Sequence, residues 1–358
     1  MAALDTLLIA LKDRKGSDLH LASGVAPRMR VKGALDVIEG QCELDDAALR
    51  AMMQEIATPE QWEEYLRDGD LDFAYGLPGV ARFRANYLVQ ENGAGAVFRI
   101  IPEEILTAEQ LKLPEAVVKL AELEKGLVLV TGPTGSGKST TLAAIINHIN
   151  TNQCRHIVTI EDPVEFVHPN KQSVLSHREV GSHTQGFGPA LRAAIRQDAD
   201  VVLVGEMRDR ETIGLAISAA EMGLLVFGTL HTNSAAKTID RIIDAFPAKE
   251  QNQVRISLSE SLAAVVSQIL LPTADGKGRC AAQEILLRTQ GLPNVIREGK
   301  ITMLNSIIES GKAQGMQAMD DVLFAYAKEG RISGADAYMK ATNKQRFESM
   351  AGSEERAA

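Results

Sequence analysis

The sequence predicts an α/β protein in two parts, a small α+β domain followed by a larger domain built on a parallel sheet. Three observations carry this expectation. Short alternating stretches in the first hundred or so residues give way, after Gly126, to nearly unbroken apolar runs. Helical patterns separate those runs, and a glycine-rich loop directly follows the first of them. Continuous apolar strands alternating with helices are what a parallel sheet covered on both faces requires.

Taken in order, Met1 to Lys12 reads as a short amphipathic helix. Asp5, and no Lys or Arg, precedes its apolar stretch, which is the wrong charge order for a signal peptide. Strand-like alternation follows at Asp18 to Leu21, Pro27 to Val31, Leu71 to Tyr75 and Arg82 to Val89, with one charged helical segment around Asp45 to Arg67. Ile101-Pro102 and Leu113-Pro114 bracket a polar connection, because proline fixes φ and removes a donor. The expected partition is therefore an α+β domain over 1–101, a linker over 102–114, an α/β core over 115–280 and a helical region over 281–358.

In the core the apolar runs are Leu127 to Val130, Ile157 to Ile160, Val201 to Val204 and Leu224 to Leu230. After about Ala281 the pattern is mostly helical, with segments at Met303 to Gly311, Met319 to Lys328 and Gly334 to Thr342. Gly352 to Ala358 reads as a frayed end.

Composition narrows the function. A chain of 358 residues with 45% hydrophobic and 24% charged residues is ordinary for a globular protein and excludes disorder as the main state. The net charge of −9 supplies no overall positive field toward nucleic acid or anionic lipid. Cys42, Cys154 and Cys280 are too far apart for a C-x-x-C pair, so neither a zinc ribbon nor a disulfide framework fits. A cytoplasmic protein is expected, and no uncharged apolar run reaches the roughly 18 residues of a membrane span.

The strongest chemical signal is Gly132-Pro133-Thr134-Gly135-Ser136-Gly137-Lys138-Ser139, followed by Thr140, which satisfies the P-loop pattern between a strand and a helix. Its glycines let backbone N–H groups converge on phosphates, and the following helix aims its positive end at the same anion. Lys138 is then expected to reach the β and γ phosphates of ATP, and the Ser139 hydroxyl to ligate Mg²⁺. The strand Val201 to Val204 leads into Glu206, which fits the Walker-B role of orienting water or an outer Mg²⁺ ligand, directly or through water.

Two further groups fall on the same expected edge. Glu161, Asp162 and Glu165 follow another apolar strand, at the carboxyl edge where ligands bind in open α/β sheets. A carboxylate there can hold the attacking water. His231 ends a fourth strand in the same way, although a lone histidine is as often structural as catalytic. Arg82 and Arg84, two apart on one strand, read by themselves as surface residues in ion pairs worth at most about 1 kcal/mol each.

Four co-linear motifs, GPTGSGKST, TIEDPVEF, DADVVLVGEMRD and GTLHTNSA, resemble the secretion ATPase superfamily, most closely its type IV pilus retraction branch. The likeness extends to Gly16-Ser17-Asp18-Leu19-His20-Leu21, Arg82-Phe83-Arg84-Ala85-Asn86 and Arg208-Asp209-Arg210-Glu211-Thr212. It implies a PAS-like N-terminal domain, a RecA-like ATPase domain and a homohexameric ring at the cytoplasmic face of the inner membrane. It also implies a platform protein and a pilin filament as partners, twitching motility as the outcome, and no nucleic acid. By the same resemblance Glu165 matches the water-activating glutamate, Glu206 the Walker-B glutamate and His231 the histidine-box residue. Arg82, Arg84 and Arg99 match arginines that reach nucleotide across a subunit boundary.

Two features of the sequence bear on the branch. Assembly-direction relatives carry a four-cysteine zinc insertion, which three scattered cysteines cannot provide. Retraction relatives carry an Ala-Ile-Arg-Asn-Leu-Ile-Arg-Glu signature, whose second half matches Gly291-Leu292-Pro293-Asn294-Val295-Ile296-Arg297-Glu298. Pro293 departs from it and leaves room for an accessory retraction paralogue or for a member with altered coupling to its pilus partner; a pilus assembly or secretion ATPase is a further alternative. A nucleic-acid translocase is disfavoured by the charge.

Overall fold

The computed structural model describes residues 2–31, 33–101 and 104–350. The chain divides into two compact units, Met1–Glu104 with Pro163–Val167, and Ile105–Asp162 with His168–Ala358. Pro102, the first residue of the expected linker, and the Gly352 to Ala358 end lie outside the described residues.

The first unit runs α1 (Ala3–Asp13), β1 (Asp18–Ala22), β2 (Arg28–Val31), β3 (Ala34–Val37), α2 (Asp46–Gln54), α3 (Pro59–Asp68), β4 (Asp70–Leu77), β5 (Ala81–Gln90) and β6 (Gly93–Ile101). The strands form one antiparallel sheet in the order β3-β2-β1-β6-β5-β4. Alternation decides its faces: Leu19, Leu21, Phe83, Ala85, Tyr87, Ala96 and Phe98 bury one face against helix residues such as Leu8, Leu49 and Tyr65. The single helical segment expected over Asp45 to Arg67 is two helices. Thr58 caps α3 by accepting from the Gln61 N–H, the Gln61 side chain returns a bond to the Thr58 N–H, and Pro59 opens the helix.

The second unit continues through α4 (Glu115–Val118), β7 (Gly126–Thr131), α5 (Lys138–Asn152), β8 (His156–Glu161), β9 (Val174–Glu179), α6 (Phe187–Ala194), β10 (Val201–Val204), α7 (Arg210–Glu221) and β11 (Leu225–Leu230). There follow α8 (Ala235–Asp244), α9 (Ala248–Ser261), β12 (Leu262–Pro272), β13 (Arg279–Leu287), α10 (Leu292–Arg297), α11 (Leu304–Ser310), α12 (Met319–Lys328) and α13 (Gly334–Lys340). Its sheet has the order β13-β12-β7-β11-β10-β8-β9, parallel except for the β12–β13 hairpin.

The central strands β7, β10 and β11 are buried on both faces, which is why they are almost wholly apolar, whereas the edge strand β9 is polar and only partly buried. Leu127, Leu129, Val202, Val204 and Val226 pack toward α6 to α9, while Val128, Val130, Val201, Leu203 and Phe227 pack toward α5. The expected core boundary at Ala281 falls inside a strand. Residues 281–287 complete β13, whose burial on both faces gives a mixed apolar run that periodicity cannot separate from a helix. Pro293 occupies the first turn of α10, where a missing N–H removes no helical bond.

Candidate active site

The P-loop is built as a close fit between β7 and β12. Gly132 has φ +147°, and a Cβ there would stand 2.1 Å from the Gln268 carbonyl oxygen and 2.6 Å from Ser136 Oγ. Gly135 and Gly137 take φ of +76° and +85°, so the loop reverses through left-handed conformations that glycine adopts without steric penalty. Gly137 is the N-cap of α5, and no side chain caps that helix. The neighbouring α7 and α8 are capped by Asp209 and Ser234. No side-chain cap thus competes with an anion at the start of α5.

Lys138 folds back over the loop. Its Nζ donates to the carbonyls of Gly132 at 2.8 Å and Pro133 at 3.1 Å, and the side chain is buried. Ser136 Oγ is buried without a hydrogen-bond partner, inside the turn that would surround a phosphate. Ser139 and Thr140 are half-buried, while Pro133, Thr134 and Gly135 are exposed. Beside the start of α5, at Gly137, Thr140 and Thr141, opens a groove of about 930 Å³, with Leu106, Leu111, Leu270, Arg279 and Tyr326 in its walls.

Register places the other candidates at the same edge. Thr131 at the end of β7 pairs with Leu230 at the end of β11, so His231 and the P-loop leave adjacent strands together. Val204 at the end of β10 pairs with Gly228, which brings Glu206 beside them. The carboxylate of Glu206 meets His231 Nε2 at 3.0 Å and Arg208 Nη2 at 2.7 Å. Burial pushes the Glu206 carboxyl upward, but the hydrogen bonds and charges of Arg208 and His231 outweigh it and hold it below the usual carboxylate range. Thr229 clamps the turn between them by donating to the Gly205 carbonyl.

Glu165, Arg82, Arg84 and Arg99 belong to the first unit. Glu161 closes β8 and is buried, whereas Glu165 lies in the Pro163–Val167 segment that clusters with the first unit. There Arg82 donates to the Val164 carbonyl at 3.2 Å. Arg84 stands 3.7 Å from Asp72, and Arg99 Nε donates to Asp18 at 2.8 Å. Cross-strand register sets Arg30, Asp18, Arg99 and Arg84 in one row on the face opposite the core. Arg84 and Arg99 are directly opposite, and each has a carboxylate neighbour, Asp72 and Asp18, that offsets the like-charge repulsion.

Sequence reading gave no individual role to Arg208, Gln268 or Glu284. Arg208 appears there only within a longer match. Gln268 and Glu284 are polar residues inside apolar runs, which is the signal that marks them. Glu284 is buried and accepts from the Ala235 N–H at 2.8 Å, and burial pushes its carboxyl up. Among the described residues no group of three or more His, Cys, Asp or Glu is arranged to hold a metal, and no helix is long and apolar enough to cross a membrane.

The Type II/IV secretion system protein family model matches residues 13–345. The chain belongs to this family. A twitching motility protein of Neisseria gonorrhoeae is 51% identical over 319 residues, covering 89% of this chain and 85% of its own length. The type IV pilus retraction ATPase PilT of Pseudomonas aeruginosa is 48% identical over 343 residues, covering 96% and 99%. The crystal structure of the pilus retraction motor PilT with bound ADP superposes with a TM-score of 0.90 at 40% identity, covering 98% of this chain and 100% of that one. For this member of the Type II/IV secretion system family, the fold is thus the secretion ATPase fold.

Proposed function

We propose that this protein is an ATPase whose hydrolysis, in a hexameric ring at the cytoplasmic face of the inner membrane, drives type IV pilus retraction and twitching motility. The observation that carries the reading is the joint placement of an uncapped P-loop helix and the Glu206–His231 pair on adjoining strand ends. Retraction rather than assembly is favoured by the identity to a retraction ATPase and a twitching motility protein across nearly their whole lengths, and by the three scattered cysteines.

In this reading Lys138 leaves the loop carbonyls for the β and γ phosphates, and the base lies in the groove beside Thr140. Mg²⁺ fits the donors present, because it binds through few protein oxygens and keeps several waters. Ser139 would supply its hydroxyl and Glu206 a carboxylate acting through water. When bound, the ion neutralises charge developing on the phosphates. Glu165 activates the attacking water, and His231 senses the Glu206 side of the site.

Arg82, Arg84 and Arg99 act in trans in the assembled ring. Support comes from the arginine row: register sets the guanidinium-bearing Arg84 and Arg99 side by side, and such groups are suited to bind an anion. An arginine supplied in this way raises phosphoryl-transfer rates by roughly 10³ to 10⁵ and makes turnover depend on subunit position. A linker over 102–114, joining a domain over 1–101 to an ATPase core over 115–280, would couple that dependence to motion. The pilus platform protein and the pilin filament are the partners. Phosphate release by purified protein tests the reading: Lys138→Ala abolishes turnover, and undiminished release by that variant overturns it.

A further inference from the structure

Beneath the P-loop lies a buried amide that none of these roles uses. Gln268 on β12 is 2% exposed. Its Nε2 donates to the Ser136 carbonyl at 2.6 Å. Its Oε1 accepts from Thr141 Oγ1 at 2.8 Å and from Gln283 Nε2 at 2.7 Å. Gln283 is equally buried, and its own carbonyl accepts from Gln317 Nε2 at 2.7 Å. The chemistry of the partners fixes the amide's orientation, since a backbone carbonyl can only accept and must face the NH₂. Both lone pairs of Oε1 are filled, so the group has one arrangement that satisfies it.

We infer that Gln268 is a positioning residue that aims the Gly137 N–H at the nucleotide's phosphates. In a planar trans peptide the carbonyl of one residue and the N–H of the next point in opposite directions. Holding the Ser136 carbonyl down onto Gln268 therefore turns the Gly137 N–H up into the loop. The peptide needs holding, because Gly137 at φ +85° also tolerates the flipped conformation, which would present a carbonyl oxygen to the anion. Space is matched to the same contact: a Cβ on Gly137 would lie 2.9 Å from Gln268 Nε2. Thr141 and Gln283 hold the amide from behind.

The inference rests on the reading of this loop as the phosphate site. The test is calorimetric binding of MgADP to the full chain, with melting temperatures to confirm folding. Gln268→Met, close in shape but without a donor, is expected to weaken binding about 10- to 100-fold, the loss that follows when a buried acceptor goes unpaired. Gln268→Glu is expected to bind as poorly near pH 8 and to recover toward the wild-type value near about pH 5.5, where the protonated acid regains a donor for the Ser136 carbonyl. A purely packing role would give no such recovery.

Folded Gln268→Met with MgADP affinity within about twofold of wild type, or Gln268→Glu whose ratio to wild type ignores pH, overturns the inference. Should neither variant fold, Gln283→Met leaves the Ser136 contact in place and loosens the amide. It is expected to weaken binding about threefold, and unchanged affinity contradicts the role. Lys138→Ala separates the two readings. If it too binds MgADP normally, the phosphate site is misassigned; if it alone loses binding, only the role of Gln268 fails.

Discussion

Glu206 Oε1 and His231 Nε2 stand 3.0 Å apart, joining the residues that leave β10 and β11. Arg208 takes the other carboxylate oxygen at 2.7 Å. One acid thus has both oxygens committed to cations or donors, which fixes its direction beside the P-loop. An acid held so rigidly is suited to orienting water, and replacing it separates binding from hydrolysis.

Glu206→Gln is expected to bind MgATP with near-normal affinity and to hydrolyse it roughly 10² to 10⁴ times more slowly, the usual contribution of a positioned acid–base group. Nucleotide binding and single-turnover phosphate release on the same preparation check both halves. Wild-type turnover in this variant would remove Glu206 from the chemistry.

The Arg208 contact also sets a pH dependence. Glu206 is held below the ordinary carboxylate range, so its ionised form persists as pH falls, and the function that needs it is lost only on passing the lowered value. Arg208→Ala removes a lowering contact. The acid limb of the rate profile is expected to move to higher pH, while the plateau near pH 8 changes less. An acid limb that stays in place would show that Arg208 does not hold Glu206 ionised.

For Arg82, proposed to act in trans, mixing two inactive chains is decisive. Arg82→Ala combined with Lys138→Ala is expected to regain part of the ATPase activity, because some boundaries then pair an intact arginine with an intact P-loop. Mixed assembly without any recovery contradicts action in trans.

His168 gives a stability prediction independent of catalysis. Burial, with the neighbouring His177 ring stacked at 5.9 Å, pushes its pKa down to about 4, and its Nδ1 has no partner. Between about pH 6.5 and 4 the unfolded chain binds a proton there that the folded chain does not, so stability rises with pH across that window. The loss on acidification from this group is up to about 3 kcal/mol. His168→Phe is expected to flatten that part of the melting-temperature profile, and an unchanged slope would refute the assignment.

The strands Leu127–Val130 and Val201–Val204 were legible because burial on both faces makes them uniformly apolar, a pattern few other elements share. β6 was not, since its first half, Gly93-Ala94-Gly95-Ala96, lacks strand-forming residues and only Val97, Phe98, Ile100 and Ile101 supply them; its pairing is fixed by β1 and β5 on either side. β12 and β13 hide Gln268, Gln283 and Glu284 within apolar runs, and only tertiary contacts explain polar groups there. The break at Thr58-Pro59 carried a readable signature, Thr58 with Gln61, which the charged pattern around it obscured. The P-loop was visible from spacing alone. The Glu206–His231–Arg208 cluster was visible only in part, because adjacency of strand ends is a property of sheet order.

The central claim, that this ATPase retracts pili, is tested most directly by deleting its gene and counting surface pili in cells complemented with wild type or Glu206→Gln. The account predicts hyperpiliated, non-motile cells in the deletion and with Glu206→Gln, and normal piliation and twitching with wild type. Bald cells in the deletion would contradict retraction and identify the protein as driving assembly.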